Sequence, residues 1–228
     1  MIFDWNTMVP VLGLAIIQTF QMVGLSLVFT ILFGLPVGIL LVATDRGGVF
    51  ETPYGSKRLG AALHSTLGFI VNVGRSLPFI ILMVALIPLT RLIAGTSIGV
   101  VAAVVPLSVA AIPFFARLVE IALREVDSGL IEAAKSLGAT RATIIRKVLV
   151  PEALPAIVLG LSTSVISLIN YSAMAGIIGA GGIGDIAFRF GYQRFDDAYM
   201  ITTIVLLVVI VQAIQSLGSW SAKRLSHR

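Results

Sequence analysis

The hydrophobic positions of this chain form long continuous runs with few polar interruptions. The windows Trp5 to Thr44, Ala153 to Gly184 and Tyr199 to Ala222 contain no Asp, Glu, Lys or Arg. Each window is longer than the ~20 apolar residues with which a helix crosses a bilayer. Because the runs are continuous and do not alternate with polar residues, they favour membrane-spanning helices over strands.

Five spans follow from this pattern, near residues 17–42, 61–88, 98–117, 153–175 and 198–218. We therefore predict an all-α, polytopic membrane protein, with the whole chain 1–228 forming a single transmembrane domain. The composition agrees, since 57% of the residues are hydrophobic and 12% are charged, against roughly 25% charged residues in soluble domains. The chain has no cysteine, so we expect neither a disulfide framework nor a thiolate metal site.

The distribution of basic residues predicts the orientation of the spans. The loop 43–60, the loop 117–152 and the tail 219–228 share one side and hold twelve of the sixteen basic residues: Arg46, Lys57, Arg58, Arg117, Arg124, Lys135, Arg141, Arg146, Lys147, Lys223, Arg224 and Arg228. Basic loops stay in the cytoplasm, so we predict an N-terminus outside and a C-terminus inside. Since Asp4 and no basic residue precede the first apolar run, we expect no cleaved signal peptide.

Two spans contain helix-disturbing residues. Gly74-Arg75-Ser76-Leu77-Pro78 places a charge and a proline at membrane depth, which predicts a broken helix of the kind that lines a cavity or packs in protein. Arg75 is either a gate residue or a structural residue that extends toward the interface. In the first span, Gly34 and Gly38 have the spacing of a close helix contact, although Pro36 between them allows a simple bend.

A polar stripe runs along the fourth span. Thr163, Ser167, Asn170 and Met174 recur at helical spacing, with Tyr171 at the edge of the stripe. One interpretation is a translocation path for a polar solute, in which Met174 contacts an apolar part of the solute. The alternative is a set of hydrogen bonds that hold a helix bundle together. A metal site is not indicated, because His64 and His227 are the only two histidines and lie far apart.

The loop 117–152 is too long for a simple turn between spans. Asp127 or Ser128 suits a helix N-cap, Gly138 suits a left-handed helix end, and Thr140 suits a second N-cap. Leu130, Ala133, Ala134 and Leu137 fall on one helical face. The loop is therefore predicted to form two short helices joined at Gly138. An amphipathic helix on the membrane surface is the alternative.

The spacing within this loop is similar to the EAA loop of ATP-binding cassette (ABC) importer permeases. Glu132-Ala133-Ala134, Gly138 and Val148-x-Val150-Pro151 match that pattern in register, with Val in place of the usual Ile and Leu. The resemblance implies a cytoplasmic coupling helix that docks on an ATPase subunit, with Glu132, Ala133, Ala134, Gly138 and Pro151 as its site residues. The chain contains no Gly-Lys dipeptide, so it lacks a P-loop for ATP hydrolysis of its own.

Further segments resemble the permease of methionine ABC importers over roughly residues 15–220. They include Arg75-Ser76-Leu77-Pro78-Phe79, Ile87-Pro88-Leu89-Thr90-Arg91 and Tyr171-Ser172-Ala173-Met174. The resemblance implies a homodimer in the bacterial inner membrane, two ATPase subunits that bind ATP and magnesium, and an extracytoplasmic binding protein. No cofactor and no catalytic residue are expected in this chain, and Arg75 and Pro78 are gate or structural candidates.

Other functions remain open at this point. A related importer for a phosphonate or a quaternary amine has the same sequence features. An ion-coupled carrier predicts buried carboxylates within spans, but every Asp and Glu is assigned here to a loop or a span end. Asp185, Arg194, Asp196 and Asp197 are candidate polar contacts for the binding protein. The glycine-rich run Gly179–Gly184 is either part of that contact or of a membrane-dipping turn, or a plain flexible loop.

Overall fold

The computed structural model describes residues 5–45 and 56–226, and this part of the chain is helical along most of its length. The α-helices are α1 (Trp5–Ala43), α2 (Lys57–Ser76), α3 (Phe79–Ala85), α4 (Ile87–Ala94), α5 (Val100–Arg124), α6 (Ser128–Ser136), α7 (Arg141–Ile144), α8 (Val150–Ala175), α9 (Gly182–Ile186) and α10 (Asp197–Leu225). Three π-helical turns extend them, at Ile145–Leu149, Gly176–Ala180 and Ala187–Tyr192. No strand occurs in the described ranges, which confirms the all-α class.

Four helical stretches among the described residues are long and apolar enough to cross a membrane: α1, α5, Arg141–Ala180 and α10. The pair α2 and α3 passes the same test as one broken span, which allows five. The break lies where the sequence predicts it, because α2 ends at Ser76 and Pro78 precedes α3 with an extended ψ of 131°. The carbonyl of Pro78 accepts hydrogen bonds from the amides of Ile81 and Leu82, each 3.0 Å long.

The chain divides into two compact units, each built from three stretches of sequence. The first unit comprises Met1–Thr30, Leu77–Ala111 and Thr163–Ser216, and the second comprises Ile31–Ser76, Ile112–Ser162 and Leu217–Arg228. Each unit has its own apolar clusters. A cluster in the first unit contains Met22, Leu107, Leu168 and Ile169. A cluster in the second unit contains Phe115, Val119, Leu123, Ile144 and Leu149.

In the first unit, the glycine-rich run forms a packed turn. Gly179, Gly181 and Gly182 have φ values of 92°, 84° and 83°, which only glycine adopts readily. The amide of Gly182 donates to Gln18 Oε1 at 2.8 Å, and the amide of Ile183 donates to Thr19 Oγ1 at 2.9 Å. Two polar side chains of α1 therefore bind backbone groups that the broken helix leaves without a helical partner.

In the second unit, the glycine pair of α1 makes the close helix contact that its spacing allows. A β-carbon on Gly38 would lie 2.6 Å from Ala116 O, and one on Gly34 would lie 3.0 Å from Phe115 Cδ1. The helix continues through Pro36 to Ala43. The close contact with α5 is therefore realised at both glycines.

We predict that Gly38→Ala destabilises the protein, because the added methyl group overlaps the backbone of α5. Overpacking of this kind costs about 1–3 kcal/mol, and thermal unfolding in detergent should show a lower Tm. Gly13→Ala is the matched control, since a β-carbon at Gly13 meets no atom within 4 Å and alanine favours the helix. Equal Tm values for the two variants would contradict the contact.

Candidate functional site

The segment Asp127–Pro151 begins with the short helix α6, which is capped at both ends. The carboxylate of Asp127 accepts a hydrogen bond of 2.8 Å from the amide of Gly129. At the other end Gly138 has a φ of 74°, and its amide donates to Lys135 O at 3.0 Å. Both predicted helix signals are therefore confirmed, and each acts through a local hydrogen bond.

Helix α6 packs on the second unit with one side and exposes the other. Ile131 and Ala134 pack against the cluster that contains Phe115 and Val119. Leu130, Ala133 and Leu137 are exposed, with Leu137 at 88%. Ala134 lies at the inner edge of the face that it shares with these three residues, where it and Ile131 pack on the second unit. The outer face is left as an apolar strip.

Glu132 and Gly138 are exposed beside this strip. Space around Gly138 is open, since a β-carbon there would meet no atom within 4 Å. Glycine is therefore required at position 138 by the left-handed backbone and not by the closeness of neighbouring atoms. The strip offers small and apolar groups with one carboxylate beside them.

The second predicted short helix is the start of a much longer one. Thr140 caps it as predicted, with its hydroxyl accepting from the amide of Thr143 at 3.3 Å. Helix α7 then continues through the π-helical turn Ile145–Leu149 into α8. Pro151, in the first turn of α8, has no amide hydrogen for the carbonyl of Lys147, so a π turn relieves the gap in the hydrogen-bond ladder. Pro151 therefore reshapes a continuous helix and does not separate two helices.

A buried carboxylate lies just before this segment, at Glu120, which is 2% exposed. Arg117 Nη1 donates to Glu120 Oε2 at 2.7 Å, and Arg124 donates to Oε1 through Nε at 3.1 Å and Nη2 at 2.9 Å. Arg124 also pairs with Asp45 at 2.7 Å, and His64 Nε2 lies 3.8 Å from the same carboxyl group. These side chains form one connected network, in which the buried carboxylate of Glu120 has two cationic partners, Arg117 and Arg124.

The assignment of Glu120 to a loop is wrong, because α5 continues to Arg124 and carries it inside the helix. The apolar pattern marks the part of a helix that contacts lipid, and charged residues can extend the same helix beyond it. The spacing Arg117, Glu120, Arg124 puts all three on one helical face, and this signal could have revealed the pairing. The link to Asp45 is long-range and has no local signal.

The polar stripe of α8 faces away from the core of the first unit. Thr163, Asn170 and Met174 are exposed and Ser167 is half-buried, whereas Leu168 and Ile169 are buried. Ser167 Oγ donates to Thr163 O at 3.0 Å. Tyr171 stacks on Phe79, with ring centroids 4.6 Å apart. The stripe is therefore open, and Tyr171 is held in place at its edge.

Of the gate or structural candidates, Arg75 is exposed in the last turn of α2. Pro78 is exposed before α3. Gly74 in the same segment approaches Pro113, since a β-carbon on it would lie 2.8 Å from Pro113 Cγ. No group of three or more metal-ligating side chains occurs in the described part of the chain.

Comparison with known proteins places these features in one family. The sequence model of the binding-protein-dependent transport system inner membrane component matches residues 54–227. A probable D-methionine transport system permease protein of Vibrio cholerae is 49% identical over 211 residues, which cover 92% of this chain and 90% of that protein. The methionine import system permease protein of Bacillus subtilis is 45% identical over 170 residues, 75% of this chain and 77% of that one.

The fold has a close match among solved structures. A chain of the MetNI methionine ABC transporter, in inward-facing conformations, superposes with a TM-score of 0.92 at 44% identity and covers 99% of this chain and 100% of that chain. A chain of an amino acid ABC transporter with histidines matches with a TM-score of 0.77 at 22% identity, covering 98% of this chain and 100% of that chain. This second likeness concerns the fold alone.

We predict that Glu120→Gln lowers the free energy of unfolding by roughly 1.5–3 kcal/mol, the range for a hydrogen bond to a charged group. The amide keeps the shape of the side chain but leaves Arg117 and Arg124 without their shared anion. Thermal unfolding of the purified protein measures the effect as a lower Tm. Glu125→Gln, at an exposed neighbouring position, should shift stability by no more than about 0.5 kcal/mol. Equal shifts would argue against the pairing.

Proposed function

We propose, because the chain belongs to the family of binding-protein-dependent transport system inner membrane components, that it is the membrane-spanning subunit of an ATP-driven importer of methionine. The assignment of methionine as the substrate rests on the identity of 49% over 92% of the chain with a probable D-methionine permease. The match to a chain of the MetNI methionine ABC transporter, with a TM-score of 0.92, supports the same assignment.

The proposed assembly contains two copies of this chain, two ATPase subunits that bind ATP and magnesium, and an extracytoplasmic binding protein. The chain itself is not an enzyme, since ATP is hydrolysed in the partner subunit. The family description names a binding protein and an inner membrane location, which supports the binding protein and the membrane location in this assembly. The expectation that residues 1–228 form one transmembrane domain stays a prediction.

The orientation of the chain follows from its charges. The segment Asp127–Pro151 faces the cytoplasm together with the C-terminus, and the N-terminus lies outside. The described basic residues Lys135, Arg146 and Lys147 are all exposed in or near this segment, and basic loops remain on the cytoplasmic side. The connection between α8 and α10 is then extracytoplasmic.

The outer strip of α6 transmits the motion of the ATPase. Leu130, Ala133 and Leu137 present an apolar surface to the partner, while Glu132 supplies a charged contact. Ala134 acts from the inner side, because it packs α6 against the second unit. Gly138 and Pro151 set the direction of the chain as it leaves α6 and enters α8. A push on the strip therefore reaches α5 and α8 through packed side chains and not through a flexible loop.

The polar stripe of α8 lines the translocation path between two copies of the chain. Thr163, Ser167 and Asn170 offer hydroxyl and amide groups to the charged end of an amino acid. Met174 offers a polarizable surface to its thioether chain, and Tyr171 is held at the edge by its stacking on Phe79. The exposure of Asn170 and Met174 in the single chain supports this role.

Two experiments test the proposed function. The first is co-purification of the chain with the ATPase, and the second measures ATP hydrolysis by the complex with the binding protein and methionine added. We expect association and a rise in hydrolysis when both are added. Leu137→Asp should abolish association, because a carboxylate in the apolar strip would lose its water on docking. The readouts are the amount of ATPase retained on the tagged chain and the rate of methionine uptake.

Lys135→Asp is the matched control for this variant. It introduces the same carboxylate two positions away, which lies on the opposite side of a helix. We expect it to retain the ATPase. If Leu137→Asp binds the ATPase as the wild type does, the strip is not the docking surface. If the wild-type chain fails to bind any ATPase, the importer function itself is wrong.

Substitutions in the polar stripe distinguish a role in the translocation path from a role in helix packing. We predict that Asn170→Ala combined with Met174→Ala reduces methionine uptake at least about tenfold while the Tm changes little, because both side chains are exposed in the single chain. Uptake of radiolabelled methionine in proteoliposomes is the measurement, with a phosphonate and a quaternary amine as competing solutes. Val205→Ala, at an exposed position on α10, is the control. Unchanged uptake in the double variant would leave the stripe without a transport role.

A further inference from the structure

The connection between Tyr192 and Asp197 carries an exposed aromatic side chain on a strained backbone. Phe195 is 85% exposed. Its φ is 53°, and no other non-glycine residue in the ranges 5–45 and 56–226 has a positive φ. A left-handed conformation is unfavourable for a residue with a β-carbon, and an exposed phenyl ring gains nothing from burial. The fold of the single chain therefore does not benefit from this residue.

The strained position is fixed by hydrogen bonds on both sides. The amide of Gln193 donates to Phe188 O at 2.9 Å, and the amide of Asp196 donates to Phe190 O at 3.2 Å. The carboxylate of Asp196 then caps α10, accepting from the amides of Ala198 at 3.0 Å and Tyr199 at 3.3 Å. Each end of the loop is thus closed onto a helix, and Phe195 is displayed by a preorganised backbone.

A layer of aromatic rings supports the loop from beneath. The guanidinium of Arg194 lies 4.5 Å from the centroid of Phe190, which itself stacks on Tyr199 at 4.7 Å. Tyr192 stacks on Phe188 at 5.5 Å. Tyr192 and Arg194 remain exposed. The loop therefore offers a phenyl ring, a phenol and a guanidinium together, which are the groups that dominate the energetics of protein interfaces.

The charged candidates around this loop are partly occupied within the chain. Asp185 accepts a hydrogen bond of 2.7 Å from Arg189 Nε, and Asp196 serves as the helix cap. The other two expected polar contacts, Arg194 and Asp197, are exposed, although the guanidinium of Arg194 also lies over the ring of Phe190. The sequence contains no signal for Phe195, because a single phenylalanine in a polar loop has no periodicity.

We propose that the loop Tyr192–Asp197 is a docking site for the soluble binding protein and that the ring of Phe195 is its anchor. This rests on the proposed function, since an importer of this family depends on a binding protein and the loop lies on the extracytoplasmic side in the proposed orientation. A strained residue held ready by its surroundings is typical of a functional site. Preorganisation lowers the entropy that docking would otherwise lose.

The chemistry of the loop favours a protein over lipid as the occupant. Asp196 and Asp197 directly follow Phe195, and insertion of the ring into a bilayer would bring these carboxylates to the phosphate groups. A protein surface can instead offer an apolar pocket for the ring, an acidic group for Arg194 and a donor for Asp197. The binding protein is therefore expected to carry such a pocket beside a carboxylate.

The test measures the affinity of the methionine-loaded binding protein for the complete complex of chain and ATPase in nanodiscs. Phe195→Ala and Phe195→Asn should both weaken binding by about 30-fold or more, the loss associated with a hot-spot residue. Asn tolerates the left-handed backbone, so an equal loss in both variants assigns the effect to the ring. Phe195→Tyr should stay within about threefold of the wild type.

The matched control is Phe69→Ala, which removes an equally large ring that is 69% exposed on α2 and should leave affinity unchanged. ATPase retention and hydrolysis without the binding protein serve as internal references. If these fail in the wild type, the proposed function is at fault. If they hold and Phe195→Ala binds the binding protein normally, the docking proposal is overturned.

A labelled variant distinguishes protein from lipid. The chain has no cysteine, so Gln193→Cys, at an exposed position beside the intact Phe195, gives it a single thiol for bimane, in a complex whose ATPase is also cysteine-free. We expect the emission to change when the binding protein is added and brominated lipids to leave it unquenched. Strong quenching by brominated lipids with no response to the binding protein would identify a membrane anchor and overturn the proposal.

Discussion

Inside a bilayer, every backbone N–H and C=O group must find its hydrogen-bond partner within the protein, and this requirement shapes the fold. Long helices satisfy it without help, and the chain uses them wherever its sequence is uniformly apolar. The difficulty lies where a helix stops. After α8 the glycine-rich turn leaves amides without helical partners, and Gln18 and Thr19 of α1 supply acceptors for two of them. The amide of Gly99 likewise donates to the carbonyl of Gly179 at 3.0 Å.

A different requirement explains why α6 is attached to the second unit. A short helix such as α6 is not stable alone in water, and it persists because Ile131 and Ala134 pack on the cluster around Phe115 and Val119. One face holds the helix on the unit, and the other is exposed. The attached face of α6 continues directly into the packing of α5 within this unit.

Glu120 shows how a charge is accommodated at the end of such a helix. A buried carboxylate is costly unless cations and hydrogen bonds replace its water. Arg117 and Arg124 do so from the same helix, while remaining partly exposed themselves. The pairing of Arg124 with Asp45 ties the end of α5 to the residues that follow α1. An ion-coupled carrier would need a carboxylate that releases and binds its ion, and this one is held by two permanent cations.

Features that depend on neighbours along the chain can be predicted from the amino-acid sequence. These include the apolar spans, the break at Pro78, the caps at Asp127 and Thr140, and the left-handed turn at Gly138, because each follows from local hydrogen bonding or backbone geometry. Three features become visible only in the folded chain: Ala134 packs on the second unit, Glu120 is buried and linked through Arg124 to Asp45, and Phe195 is exposed on a left-handed backbone. These outcomes depend on which distant residues come into contact, and periodicity along one helix specifies a face without specifying what covers it.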